Sequence, residues 1–241
     1  MKKYSIKVRF LITGFLVVIF TTELIAQQKD DDRFVSFVTE PSAVKFYWKD
    51  NKGQVIKSIQ ALKSFVEESN QQLRFAMNGG MYLKDNSPQG LYIENGNALH
   101  ALDTLPSGFG NFYMKPNGVF AVTKDNRAII YVTEKFTDQN NIAFATQSGP
   151  MLLIDGEIHS AFKKASANLN IRNGVGILPD STVIFAMSKQ EINFYEFAEF
   201  FKKKGCTNAL YLDGFVSRTY LPEKDWKQLD GNFGVMIGVI K

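Results

Sequence analysis

The sequence predicts an α+β protein, a single domain of mixed, mainly antiparallel sheet with hairpins and a few packed helices. Three observations carry this expectation. Short apolar runs of strand length recur along most of the 241 residues. Asn-Gly, Asp-Asn and Asp-Gly pairs fall between them at hairpin spacing, and only two stretches show the three-and-four periodicity of an amphipathic helix. With 45% hydrophobic and 22% charged residues the chain can bury a full core. No internal repeat or low-complexity linker divides it, so one domain is the economical architecture.

The first 26 residues stand apart from that pattern. Lys2, Lys3, Lys7 and Arg9 precede an apolar run over 10–20, and a more polar stretch ends at Ala26-Gln27. This is the order of a cleavable secretory signal, which predicts an exported protein, periplasmic or extracellular, with the domain at 27–241. Contact with a membrane is expected only through that segment if it stays uncleaved.

Residues 33–39 and 43–48 alternate aromatic or branched residues with polar ones and read as strands. Over 55–69 the positions Val55, Ile56, Ile59, Leu62, Phe65 and Val66 mark a helix, which leads into a buried strand at 73–77. Tight turns are expected at Asn95-Gly96, Pro116-Asn117-Gly118, Asp125-Asn126, Asp155-Gly156 and Pro179-Asp180, because Asn, Asp and Gly tolerate positive φ. A second helix is expected where Ile192, Phe194, Tyr195, Phe197, Ala198, Phe200 and Phe201 crowd one broad face, with Lys202-Lys203-Lys204 at its C-terminus and Gly205 as its stop. Apolar runs at 209–212 and 235–240 close the pattern as strands.

Charge and motif content exclude several function classes. The formal charge of +4 comes largely from the leader, so the remaining chain is nearly neutral and a nucleic-acid partner is not expected. Cys206 is the only cysteine, cannot form an internal disulfide, and reads as a buried thiol. His100 and His159 lack the spacing of a metal motif, so neither a metal nor a cofactor is expected. A Gly-x-Ser-x-Gly elbow, a P-loop and a dinucleotide fingerprint are all absent.

Polar residues cluster where apolar runs break at glycine. Tyr211-Leu212-Asp213-Gly214 is followed by Ser217 and Arg218, and the same kind of junction occurs at Met77-Asn78-Gly79-Gly80 and Thr146-Gln147-Ser148-Gly149-Pro150. A carboxylate ending an apolar strand is costly to bury without a partner or a role, which singles out Asp213. Arg172, in Arg172-Asn173-Gly174, carries a planar fork suited to phosphate or carboxylate. These junctions are expected to share one cleft.

Read in order, Asn78-Gly79-Gly80-Met81-Tyr82, Gly90-Leu91-Tyr92-Ile93, Asn111-Phe112-Tyr113, Pro116-Asn117-Gly118-Val119-Phe120, Gln147-Ser148-Gly149-Pro150-Met151-Leu152, Arg172-Asn173-Gly174-Val175-Gly176 and Tyr211-Leu212-Asp213-Gly214 resemble the phosphodiester glycosidase family. The resemblance covers roughly 70–240. It implies hydrolysis of the bond between an anomeric carbon and a phosphodiester oxygen, with a sugar-phosphate glycoconjugate as substrate. Asp213 would be nucleophile or base, and Arg172 would meet the phosphate. Asn78, Gln147, Ser148 and Ser217 would bind sugar hydroxyls or phosphate oxygens, Gly79, Gly149 and Gly214 would allow close approach, and Tyr82 could stack on a sugar face. A second carboxylate stays open among Glu94, Asp155 and Glu196. Two rival readings are a non-catalytic carbohydrate-binding protein of the envelope and a metal-dependent phosphodiesterase.

Overall fold

Two strands, β1 (Phe34–Thr39) and β2 (Val44–Tyr47), open the fold in the computed structural model, which describes residues 31–213 and 216–241. The expected signal segment and Gly214 lie outside the described residues. The helix α1 (Ile59–Glu67) is shorter than the periodicity over 55–69 suggests. Lys57 sits at φ +67°, which stops helical backbone from reaching Val55, and Ser58 then caps the helix by accepting from the Ala61 N–H at 3.1 Å.

Strand β3 (Leu73–Asn78) follows, then β4 (Tyr92–Glu94) and β5 (Asn97–His100), joined through Asn95 and Gly96 at φ 51° and 78°. Next come β6 (Gly118–Thr123) and β7 (Ala128–Val132), β8 (Ile142–Ser148), β9 (Met151–Ile154) and β10 (Glu157–Ile158), and the pair β11 (Asn173–Ile177) and β12 (Val183–Ser188). The expected turns at Asn126, Asp155-Gly156 and Pro179-Asp180 are present. Pro116-Asn117-Gly118 is different: a short 3-10 turn at Asn111–Tyr113 precedes it, and the segment leads into β6 without closing a hairpin.

Helix α2 (Phe194–Lys203) starts on an Asn193–Glu196 capping box, carries Lys202 and Lys203 in its last turn and ends before Gly205 at φ 85°. The chain finishes with β13 (Ala209–Tyr211), β14 (Thr219–Leu221), β15 (Trp226–Lys227) and β16 (Met236–Ile240).

The strands form three antiparallel sheets, ordered β1-β12-β11-β13-β9-β10, β15-β14-β3-β16-β2 and β5-β4-β8-β6-β7. Their inner faces share one core. Phe37 of β1 stacks on Phe75 of β3 at 4.6 Å, Phe75 on Phe185 of β12 at 5.2 Å, and Phe185 meets the edge of Phe120 of β6 at 5.8 Å. All three sheets are therefore pinned to one another by aromatic contacts. The apolar side of α2 buries Phe197, Ala198 and Phe201 against Leu152, Ile184 and Ala209, and α1 covers Leu73, Ala76 and Met236 with Ile59, Leu62 and Val66. This arrangement is the α+β architecture expected, with the sheet split into three. Among the described residues no helix is long and apolar enough to cross a membrane.

Candidate functional site

The three sheets meet at the C-terminal ends of β3 and β8, the start of β11 and the continuation of β13. Asn78 ends β3, Ser148 ends β8 and Asn173 begins β11, and all three side chains grip the segment Leu212-Asp213. The Asn78 amide donates to the Asp213 carbonyl at 2.8 Å, and the Asp213 N–H donates to Asn173 Oδ1 at 2.9 Å. The Ser148 hydroxyl donates to the Leu212 carbonyl in a short contact, and the Leu212 N–H donates to the Asn173 carbonyl at 3.1 Å. The Asn173 amide in turn donates to Asn78 O at 2.8 Å and Asn78 Oδ1 at 3.1 Å. Asn78, Ser148 and Asn173 are all buried, so these bonds replace water that cannot reach them.

The far side of the loop is held in the same way. The Ser217 hydroxyl donates to the Asp213 carbonyl at 3.1 Å, and the Arg218 N–H donates to Asn78 Oδ1 at 2.9 Å. Arg218 Nε is shared between the two carboxylate oxygens of Asp230 at 2.8 and 2.9 Å, which holds the guanidinium firmly charged and the carboxyl below its usual range. Tyr82 donates to Asn232 O at 2.6 Å, and its phenol is pushed up to about 12, first by burial and then by the charge of Asp213. Asp213 is half-buried, with Asn78 and Ser217 on its main-chain carbonyl.

Hydrogen bonds thus bring Asn78, Ser148 and Ser217 onto the main chain of Leu212-Asp213, whereas Arg172, expected to converge with them, makes its contacts elsewhere. Two expectations are corrected. Arg172 is 1% exposed, and its guanidinium lies 3.7 Å from the Phe194 ring while donating to Ile192 O and Asn168 O at 2.8 Å and to Asn168 Oδ1 at 3.1 Å. Nε and Nη2 are committed within the protein and the group is buried under Phe194, so in this structure it does not present a fork to a ligand. Its neighbour Asn173, on the other face of the strand, reaches Asp213 instead.

Gln147 is the second correction. Its Oε1 accepts from Leu91 N–H at 3.0 Å and Asp103 N–H at 2.9 Å, and its Nε2 donates to Asp103 O at 2.7 Å and Thr133 Oγ1 at 3.1 Å. An amide has two donors and two acceptor sites, so none is left for substrate. Gly79 and Gly149 likewise serve packing within the protein: an added Cβ would come within 2.9 Å of Val235 Cγ1 or 2.6 Å of Asn117 Cβ.

The three carboxylates left open each have a local role. Glu196 takes part in the α2 capping box and lies 3.6 Å from Arg33, Asp155 sits exposed at the β9–β10 turn, and Glu94 accepts the Tyr92 hydroxyl, its carboxyl raised by burial. Asn173 and Asp230 were missed by sequence reasoning. Asn173 could have been found from its place beside Arg172 in a strand-opening Asn-Gly pair; Asp230 gave no signal. Cys206 is buried with its thiol pushed up to about 12, as an inert core residue. Among the described residues no cluster of three or more His, Cys, Asp or Glu side chains could hold a metal ion.

With this geometry in place, the class of the protein follows from comparison with known proteins. The sequence profile of the phosphodiester glycosidases matches residues 71–237, well over half of the chain. The chain belongs to the phosphodiester glycosidase family. It is 42% identical over 179 residues to YigE of Escherichia coli (strain K12), a protein described as uncharacterized, covering 74% of this chain and 69% of that one.

Among solved structures it resembles the catalytic domain of zebrafish N-acetylglucosamine-1-phosphodiester alpha-N-acetylglucosaminidase, auto-inhibited by its pro-peptide, with a TM-score of 0.59 and 15% identity over 88% of this chain and 84% of that one. A hypothetical protein from Synechocystis matches with a TM-score of 0.51 and 13% identity over 86% of this chain and 59% of that one. At these identities the structural likenesses speak for the fold.

Proposed function

We propose that this protein is an exported hydrolase that cleaves the glycosidic bond of a sugar 1-phosphodiester, releasing the sugar and a phosphomonoester. The observation that carries this reading is the fixation of Asp213. In a chain of this family, side chains from two sheets and a following loop hold the main chain of one half-buried aspartate through Asn78, Asn173 and Ser217. A reacting carboxylate has to be held to within a fraction of an ångström, and rigid strand ends supply that precision.

In the reaction the bond between the anomeric carbon and the phosphodiester oxygen breaks, and the electron pair leaves with the phosphate. Water supplies hydroxide to the anomeric carbon. Asp213 either takes that water's proton directly or first bonds to the anomeric carbon and is then released by water. Because a phosphate leaves without strong protonation, the demand on a general acid is small. Asn78, Asn173, Ser148 and Ser217 are positioning residues that act through Asp213.

The name of the zebrafish relative makes an N-acetylglucosamine 1-phosphodiester the first substrate to test. The purified protein is expected to release free sugar from it or from a related glycosyl phosphodiester, and Asp213→Asn is expected to lower turnover by about 10²–10⁴-fold. No sugar release from a panel of such substrates would sink the proposal. Binding without turnover that survives Asp213→Asn would favour a carbohydrate-binding protein. Chelator-sensitive cleavage leaving phosphate on the sugar would favour a metal-dependent phosphodiesterase. Export is supported by the charged and apolar order of residues 1–26, and recovery of the protein in the soluble cytosol with Met1 intact would refute it.

A further inference from the structure

We infer that Arg218, backed by Asp230, is the anion-binding residue of this site and sets its preference for a phosphodiester over a neutral glycoside. The inference rests on the glycosidase reading for the identity of the reaction, but the anion site itself stands on geometry.

A phosphate leaving group needs a cation that is already charged, fixed in place and reachable from solvent. Arg172 meets the first two conditions and fails the third, because it is 1% exposed and its Nε and Nη2 are held by the carbonyls of Ile192 and Asn168. Drawing it toward a ligand would strand those buried carbonyls. Arg218 meets all three. Its side chain is 37% exposed, and its own N–H is anchored to Asn78 Oδ1, the residue whose amide holds the Asp213 carbonyl.

The donor inventory of Arg218 agrees with this role. Nε serves both oxygens of Asp230, and Nη1 donates to Ser217 O at 3.0 Å. A guanidinium has five N–H groups, so among the described residues about three remain for a ligand. Asp230 therefore occupies one edge of the guanidinium and leaves nitrogen donors on the other side, the arrangement that binds a phosphate through paired hydrogen bonds. The guanidinium also reaches the loop itself, through the carbonyl of Ser217, the residue whose hydroxyl holds the Asp213 carbonyl.

The Arg218 guanidinium lies against the Ser217 carbonyl, and across the site Tyr82 contributes a phenol that feels the charge of Asp213 and is fixed by the Asn232 carbonyl. Asp230 also orients Arg218 when no ligand is present. It is a positioning residue, acting through the guanidinium.

Inorganic phosphate is a sufficient probe, because it tests the anion site without requiring turnover. Phosphate is expected to raise the unfolding temperature of the full protein in a saturable way. In Arg218→Gln that rise should be lost, and in Arg218→Lys, which keeps charge without the fork, the phosphate affinity should fall about tenfold. Asp230→Asn should weaken phosphate binding less than Arg218→Gln and make it more sensitive to salt. With substrates, the preference for the glycosyl phosphodiester over the aryl glycoside of the same sugar should fall at least tenfold in Arg218→Gln, mainly through KM.

A phosphate-dependent rise that persists in a folded Arg218→Gln protein, or its absence from the unmodified protein, overturns the inference. If phosphate binding depends on Arg218 while no glycosidase activity is found, the anion site stands and the proposed reaction fails. If sugar is released from phosphodiesters with the same preference in Arg218→Gln, the reaction stands and the assignment of Arg218 fails.

Discussion

Removing the Asn173 side chain tests whether the site is held by a buried amide network. Asn173→Ala deletes two donations to Asn78 and the acceptor for the Asp213 N–H, at 2.8, 3.1 and 2.9 Å. Asn173 is 0% exposed, so water does not readily take over these roles. Each buried polar group left without a partner costs about 1–3 kcal/mol. The Asp213 N–H and the Asn78 carbonyl are the two groups most directly stranded, so the expected loss is about 4 kcal/mol, with the small cavity included. For a domain of this size each kcal/mol lowers Tm by roughly 2–4 °C, which places the fall near 8–16 °C.

Urea unfolding followed by circular dichroism and intrinsic fluorescence measures the loss, and Asn78→Ala with the double variant completes a cycle. Because the two amides bond directly, their losses should fall short of additivity by about 1–2 kcal/mol. A loss under about 1 kcal/mol at unchanged m-value, or full additivity, would refute the view that these amides form one network. Asn173→Asp separates shape from charge. It keeps an acceptor for the Asp213 N–H but turns an oxygen toward Asn78 O and Oδ1, so near neutral pH it should be no milder than the alanine variant.

Two further predictions concern the supports around the site. Gln147→Ala strands the N–H groups of Leu91 and Asp103 and should cost about 2–5 kcal/mol; chymotrypsin should then cut near the exposed Leu105 and Phe109 much faster than in the unmodified protein, and equal cutting rates would contradict the clamp. His159 accepts from the Ala161 N–H through Nδ1 at 3.1 Å and so donates through Nε2 to Lys115 O at 3.0 Å, a neutral ring whose pKa burial lowers from 6.5. The unfolded chain takes up this proton first, so the contribution of His159 is complete above 6.5 and is lost as pH falls through the lower folded value. The urea midpoint should drop between pH 7.5 and 5.5 by more than in His159→Gln; parallel curves would show that the ring is not held neutral.

What could be read in the sequence was local. The hairpin at Asn95-Gly96, the capped and lysine-ended α2 and the strands at 34–39 and 209–211 each follow from a few adjacent residues whose φ preferences and periodicity agree. Strands β14 and β15 did not announce themselves, because runs of three and two residues carry no measurable alternation and exist only where β3 offers an edge to pair with. The division into three sheets was hidden for the same reason: pairing partners lie far apart in sequence.

The site divides along the same line. Asp213 stood out because one carboxylate ended an apolar run, a local contrast. The choice between Arg172 and Asn173 was not local, since adjacent strand residues point to opposite faces and only the packing of Phe194 says which face is filled. Side-chain chemistry favoured the arginine, as the better anion ligand; geometry gave the loop to the asparagine and left Arg218 as the accessible cation. A cation chosen by charge alone is thus a weak inference whenever its aromatic neighbours can bury it. An arginine anchored through its own N–H and backed by an aspartate is the stronger candidate for the proposed anion site because its position and its charge are fixed by separate contacts.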